Sequence, residues 1–140
     1  MENKEILELA FKAMDNAYAP YSNFHVGACV VCKDGSYFLG GNIENASYGA
    51  TNCGERSAVF AAYSNGYRKN DIEKLAIVCD GHRIAAPCGI CRQVLSELLN
   101  PDTPIVLSDG KQVLETNMKE LLPLQFGPED LDRRVSRLDL

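Results

Sequence analysis

Apolar positions recur along this chain with two periods, one helical and one of strands, and their alternation predicts an order of elements. From residue 4 to residue 18, Ile6, Ala10, Ala13 and Ala17 share a face with Leu7, Phe11, Met14 and Tyr18, the spacing of an amphipathic helix that Pro20 closes. Residues 25–33 (HVGACVVCK) are mostly apolar and rich in β-branched side chains, which predicts a strand. Asp34-Gly35 is a hairpin signal, and residues 36–44 read as the returning strand. A helix then starts near Cys53 and stops at Gly66. Residues 74–80 (KLAIVCD) read as a short interior strand, and 81–86 as a loop. Pro87 opens a second cysteine-bearing helix, CGICRQVLSELL, which Asn100-Pro101 stops. Residues 104–108 predict a strand, Asp109-Gly110 a turn, 111–114 a further strand and NMKELL a short helix. The order α-β-β-α-β-α-β-β-α predicts an α/β fold, one sheet covered by helices on both faces.

The length of 140 residues suits a single domain, 1–140, with residues 128–140 a charged tail expected to be mobile. A net charge of −5 opposes binding to phosphate backbones. Arg133, Arg134 and Arg137 form no basic cluster, because Asp132 and Asp139 interleave with them. The first twenty residues lack the apolar core of a secretion signal, and no apolar run approaches the ~20 residues of a membrane span. These features predict a soluble, cytoplasmic protein with no membrane and no nucleic acid among its partners. Six cysteines in such a chain read as metal ligands, catalytic groups or small buried hydrophobes before they read as disulfides.

The candidate chemistry lies in Cys53-Gly54-Glu55 and Pro87-Cys88-Gly89-Ile90-Cys91. Cys88 and Cys91, three apart at a helix start, share a face. The positive end of the helix favours thiolates, the form that binds metal. Cys53 holds the same place on the other helix. If the two starts meet, three thiolates converge, and zinc, which takes four ligands, keeps one place for water. Glu55 then stands beside the metal without ligating it and can carry protons. Taken alone it is a first-turn glutamate favoured by the helix dipole. The competing readings of the cysteines are three buried thiols, or a structural four-cysteine site that includes Cys29 and Cys32. The second is disfavoured, because residues three apart on a strand point to opposite faces. Cys29, Cys32 and Cys79 read as core.

The pattern C-x-E followed by P-C-x-x-C resembles the zinc nucleoside deaminases. Four further stretches, AYAPYSNFHVGA (17–28), GNIENASYG (41–49), NCGERSA (52–58) and PCGICRQVL (87–95), resemble the small homotetrameric cytidine deaminases, and the resemblance runs from about Ala10 to Phe126. It implies a three-layer α-β-α sandwich around a five-stranded mixed sheet. It implies Zn2+ on Cys53, Cys88 and Cys91, with Glu55 as the catalytic proton carrier. The implied reaction is hydrolytic deamination of cytidine and 2'-deoxycytidine to uridine and 2'-deoxyuridine with release of ammonia, a step of pyrimidine salvage. The implied assembly is a homotetramer with active sites shared between subunits.

The resemblance also changes how several residues read. Asn42 and Glu44 flank Ile43 on one strand face, which by pattern alone is a solvated face. The resemblance assigns them to the ribose hydroxyls, for which their donors and acceptors are suited. Phe24 would line the base pocket, Phe126 would stack on the pyrimidine from a neighbouring subunit, and Tyr48 belongs to the loop between subunits. Gly54, where the family more often has alanine, keeps the backbone N–H that substrate needs. Three thiolates and one Zn2+ sum to −1, and a cation donating hydrogen bonds to the sulfurs would offset that charge. Arg56 is the first candidate for this and Arg92 the second. His25 and His82 match no ligand position and read as structural or exposed. A deaminase of nucleoside antibiotics, a nucleic-acid deaminase and a noncatalytic zinc protein are the competing functions.

Overall fold

The computed structural model describes residues 1–131. Its sheet has five strands in the order β2-β1-β3-β4-β5: β1 Val26–Cys32, β2 Tyr37–Gly41, β3 Ile72–Cys79, β4 Ile105–Ser108 and β5 Val113–Thr116. β3 and β4 run parallel, and the other neighbours pair antiparallel. The helices are α1 Asn3–Met14, α2 Gly54–Ser64, α3 Gly89–Leu98 and the single turn α4 Met118–Leu121. The expected α-β-α sandwich around a five-stranded mixed sheet is therefore present.

The period of two along β1 builds the layers. Ala28, Val30 and Cys32 face a core with Ala58, Val59 and Ala62 of α2, Leu95 of α3 and Leu75, Ile77, Ile105 and Leu107 of the neighbouring strands. Cys29 and Val31 face the other way, onto Ile6 and Ala10 of α1 with Ala76, Val78 and Val106. Cys29 and Cys32 thus lie on opposite faces of the sheet, fully buried, and do not form one metal site. Two glycines let the helices come close. A Cβ at Gly27 would stand 2.1 Å from the Ala10 carbonyl oxygen of α1, and one at Gly40 would stand 2.4 Å from the Ala58 nitrogen of α2.

Several boundaries differ from the periodic reading, and at three of them a non-local or side-chain bond replaces a helix or ladder bond. α1 stops at Met14 rather than at residue 18, because Tyr18 pairs with the strand end: its N–H donates to the Asn42 carbonyl at 2.8 Å, and Glu44 N–H donates back to the Tyr18 carbonyl at 2.8 Å. β2 ends at Gly41 rather than at residue 44; Ile43 instead makes isolated bridges to Tyr18 and Asn52. β5 starts two residues late, because the Asp109 carboxylate accepts from Lys111 N–H at 2.9 Å and Gln112 N–H at 2.8 Å and holds both in the turn. A 3-10 turn over Pro128–Leu131 opens the expected tail. The rest of that tail, including the three interleaved arginines, lies outside the described residues. Among the described residues, no helix is long and apolar enough to cross a membrane.

Candidate active site

Cys53 and Cys88 are the N-cap residues of α2 and α3, both extended (φ −77°, ψ 155° and φ −68°, ψ 173°). Serine or aspartate in those places would fold its side chain back on the helix. Neither cysteine makes such a bond, so both sulfurs are free to turn toward each other. Cys91 joins them from the first turn of α3. The three sulfurs lie within 4.8 Å of one another, and Cys88 Sγ is 3.5 Å from Cys91 Sγ. Zinc–sulfur bonds of about 2.3 Å at tetrahedral angles require sulfurs about 3.8 Å apart, so the donor set fits a zinc ion. Soft thiolates from two helix starts also match zinc in chemistry.

Charge is arranged around the cluster. The Arg56 guanidinium donates through Nη2 to Cys53 Sγ at 3.3 Å, and its buried Nε has no acceptor among the described residues. The Cys53 thiol is drawn down to about 5, first by its hydrogen bond with Cys91 and then, against burial, by Arg56. Cys91 is displaced upward by that same bond to Cys53 and by burial. Metal binding takes protons from such thiols. Arg92, the second candidate for the sulfurs, does not reach them. Its Nε donates to the Pro87 carbonyl at 2.7 Å and its Nη1 to the Leu121 carbonyl at 2.8 Å.

Glu55 is 5% exposed, and its Oε1 accepts from Cys91 Sγ at 3.3 Å. Burial above all, then the neighbouring Cys53 charge, pushes its carboxyl up to about 7. A carboxyl that titrates near neutrality can both take and give a proton there, the property a general acid–base needs. Its place on α2 follows from the cap: Gly54 is the first helical residue and Glu55 the second, two residues past Cys53.

The remaining candidates form a second group. Asn42 is buried, which corrects the reading of its strand face as solvated. Its Nδ2 donates to the Phe24 carbonyl and its Oδ1 accepts from Val26 N–H, each at 2.9 Å. Among the described residues, one N–H and one lone pair of its amide take no partner. Glu44 accepts from the N–H groups of Tyr21 at 3.0 Å and Ser22 at 3.1 Å, and from the Ser22 hydroxyl in a short hydrogen bond. The Ser22 hydroxyl, with those backbone donors, keeps the carboxyl below its ordinary value, so Glu44 stays an acceptor. Ser22 carried no role of its own in the sequence reading; its signal was its place in the stretch 17–28 that carries the family resemblance.

Two open cavities divide this group. Phe24 lines one of about 590 Å³ with residues Gly81 to Ala86, the loop that leads to Cys88. Glu44 and Tyr48 line one of about 360 Å³ with Tyr21, Ser22 and Thr51. Phe126 is exposed and lines neither; its carbonyl accepts from Gln93 Nε2 of α3 at 2.9 Å. The chain therefore brings Cys53, Cys88, Cys91, Glu55 and Arg56 together, and ties Asn42 to Phe24, but leaves Phe126 apart.

An α-β-α sandwich with three cysteines converging from two helix starts, and a buried glutamate against them, belongs to the class of metal-binding deaminases. Residues 1–107 match the model of the cytidine and deoxycytidylate deaminase zinc-binding region, and the chain belongs to that family. A cytidine deaminase of Halalkalibacterium halodurans is 47% identical over 133 residues, which span 94% of this chain and 99% of that one. One of Sporosarcina psychrophila is 42% identical over 132 residues, 94% and 96% of the two chains. The crystal structure of a cytidine deaminase from Burkholderia pseudomallei superposes with a TM-score of 0.87 at 46% identity, covering 90% of this chain and all of that one.

Proposed function

We propose that the protein deaminates cytidine and 2'-deoxycytidine: the nucleoside and water give uridine or 2'-deoxyuridine and ammonia. The observation that carries this reading is the buried Glu55 carboxyl against the Cys53–Cys88–Cys91 cluster. Relatives named cytidine deaminase, matched along nearly their whole length, support the substrate. Zinc held by the three thiolates would supply the Lewis acidity that makes water a nucleophile near neutral pH.

The chain's own residues do the rest. Glu55 takes a first proton from the attacking water and gives it to the pyrimidine ring nitrogen. It then takes the second from the hydroxyl now on the ring carbon and passes it to the amino group, so that the C–N bond breaks as the new C=O forms and ammonia leaves. Burial keeps its carboxyl poised for this exchange. Arg56 offsets the excess negative charge of three thiolates on one divalent ion. Glu44 accepts from ribose hydroxyls, and Asn42 uses its free N–H and lone pair beside it. Phe24 walls the base pocket, and the Gly54 N–H holds the base edge. Phe126 and Tyr48 complete the pocket of a neighbouring subunit, in a homotetramer acting in cytoplasmic pyrimidine salvage.

The test is direct. Purified protein incubated with cytidine should lose the cytosine absorbance band as uridine forms. A chelator that strips zinc should stop the change, and added zinc should restore it. Protein with a full complement of zinc that leaves cytidine untouched would overturn the proposal.

A further inference from the structure

Two residues that the motifs leave without a role meet beside the base pocket. His25 immediately precedes β1, and Asp80 immediately follows β3. Asp80 Oδ1 accepts from the His25 backbone N–H at 2.9 Å, and Asp80 Oδ2 lies 2.6 Å from His25 Nδ1. The Asp80 backbone N–H donates back to the His25 carbonyl at 3.1 Å. These bonds extend the β1–β3 ladder one step past its last pair, Val26 with Cys79. Partial burial works against an ionised Asp80. The donors of His25, first its backbone N–H and then its ring, outweigh that and hold the carboxyl below its ordinary value.

Each partner has a pocket residue next to it in the chain. Phe24 precedes His25; its carbonyl is held by Asn42 and its N–H donates to Ser22 Oγ at 3.0 Å. Gly81 follows Asp80, and a Cβ there would stand 3.0 Å from Phe24 Cε1, so the phenyl ring lies directly on the Gly81 backbone. Gly81 also begins the segment that lines the cavity with Phe24 and leads to Cys88. Cys79 Sγ donates to the Arg83 carbonyl at 3.4 Å and folds that segment back on β3.

We infer that His25 and Asp80 are a positioning pair: by fastening the start of β1 to the end of β3, they hold Phe24 on Gly81 and fix the base-facing wall of the cleft. The inference rests on Phe24 lining the base pocket. The pair bonds to backbone and to each other, and neither of its members bonds to the cysteine cluster or Glu55 among the described residues. Its loss should therefore weaken substrate binding and leave the chemical step alone.

His25→Ala and Asp80→Asn, made in zinc-loaded protein, test this. Each should raise KM for cytidine about tenfold while kcat stays within about threefold and zinc content is unchanged. His25→Gln, which keeps a side-chain donor, should recover most of the loss. Backbone hydrogen exchange across residues 81–86 should quicken in the first two variants. A pair that only stabilises the fold would lower the unfolding temperature and leave KM and exchange in that segment at the parent values, and that result overturns the inference. A fall in kcat at constant KM overturns it too. If His25→Ala fails to fold, Asp80→Asn, nearly isosteric, carries the same readouts. If the parent does not deaminate cytidine, the proposed activity fails by itself, and the exchange comparison still decides the pair.

Discussion

Glu55 and Glu44 are carboxylates with opposite tasks, and their surroundings push them apart. Glu55 is buried against thiols and displaced upward; Glu44 is ringed by donors and displaced downward. Glu55→Gln should keep its zinc, since Glu55 is no ligand, and lose about 10²–10⁴-fold in rate; metal analysis beside an activity assay checks both. A variant with the parent rate would remove Glu55 from the chemistry. For Glu44 the consequence is in stability. A carboxyl whose folded pKa lies below its ordinary value stabilises the fold above that value and loses the contribution as pH falls through the folded pKa. The parent should therefore lead Glu44→Gln in unfolding temperature near neutral pH, and the lead should shrink as acidification passes below the ordinary carboxylate range. A lead that grows on acidification would contradict the bonds to Ser22 and Tyr21. Cys88 and Cys91 were legible as a pair because their spacing at a helix start is local; that Cys53 joins them and that Glu55 carries protons was implied by the resemblance. The role of Ser22 and the burial of Asn42 were not legible: their partners stand 22 and 18 residues away, across a turn that no periodicity describes.

Among the elements, the strands and helices announced themselves through their periods, and their ends did not. Tyr18 would continue α1 by propensity, yet pairing with the strand end takes it out of the helix. Asp109 delays β5 through its side chain, a contest between carboxylate and ladder that apolar alternation does not register. The closest helix–sheet approaches rest on Gly27 and Gly40. Gly40→Ala would drive a methyl into the backbone of α2, and should cost about 1–3 kcal/mol in urea unfolding. The same move shifts the helix that carries Cys53 and Glu55, so activity should fall with stability. A Gly40→Ala protein as stable as the parent would show that α2 can slide outward without strain.

At the scale of the molecule, several large side chains remain in solvent: Tyr48 at 75% exposure, Phe126 at 59% and Ile90 at 65%. In the proposed homotetramer such side chains would be covered by neighbouring copies of the chain. Sedimentation would measure the assembly. If Phe126 works in the pocket of a neighbour, specific activity should collapse on dilution below the dissociation range, and a rate strictly proportional to protein down to nanomolar levels (about 10⁻⁹ M) would exclude a shared site.

Gln93 fixes the Phe126 backbone to α3, the helix that also bears Cys88 and Cys91. Each protomer would then be donor and recipient at once, and defects could complement in trans. Two inactive proteins, Glu55→Gln and Phe126→Ala, co-refolded into hybrids, should regain part of the parent turnover, because some pockets would combine an intact glutamate with a ring lent by the other mutant.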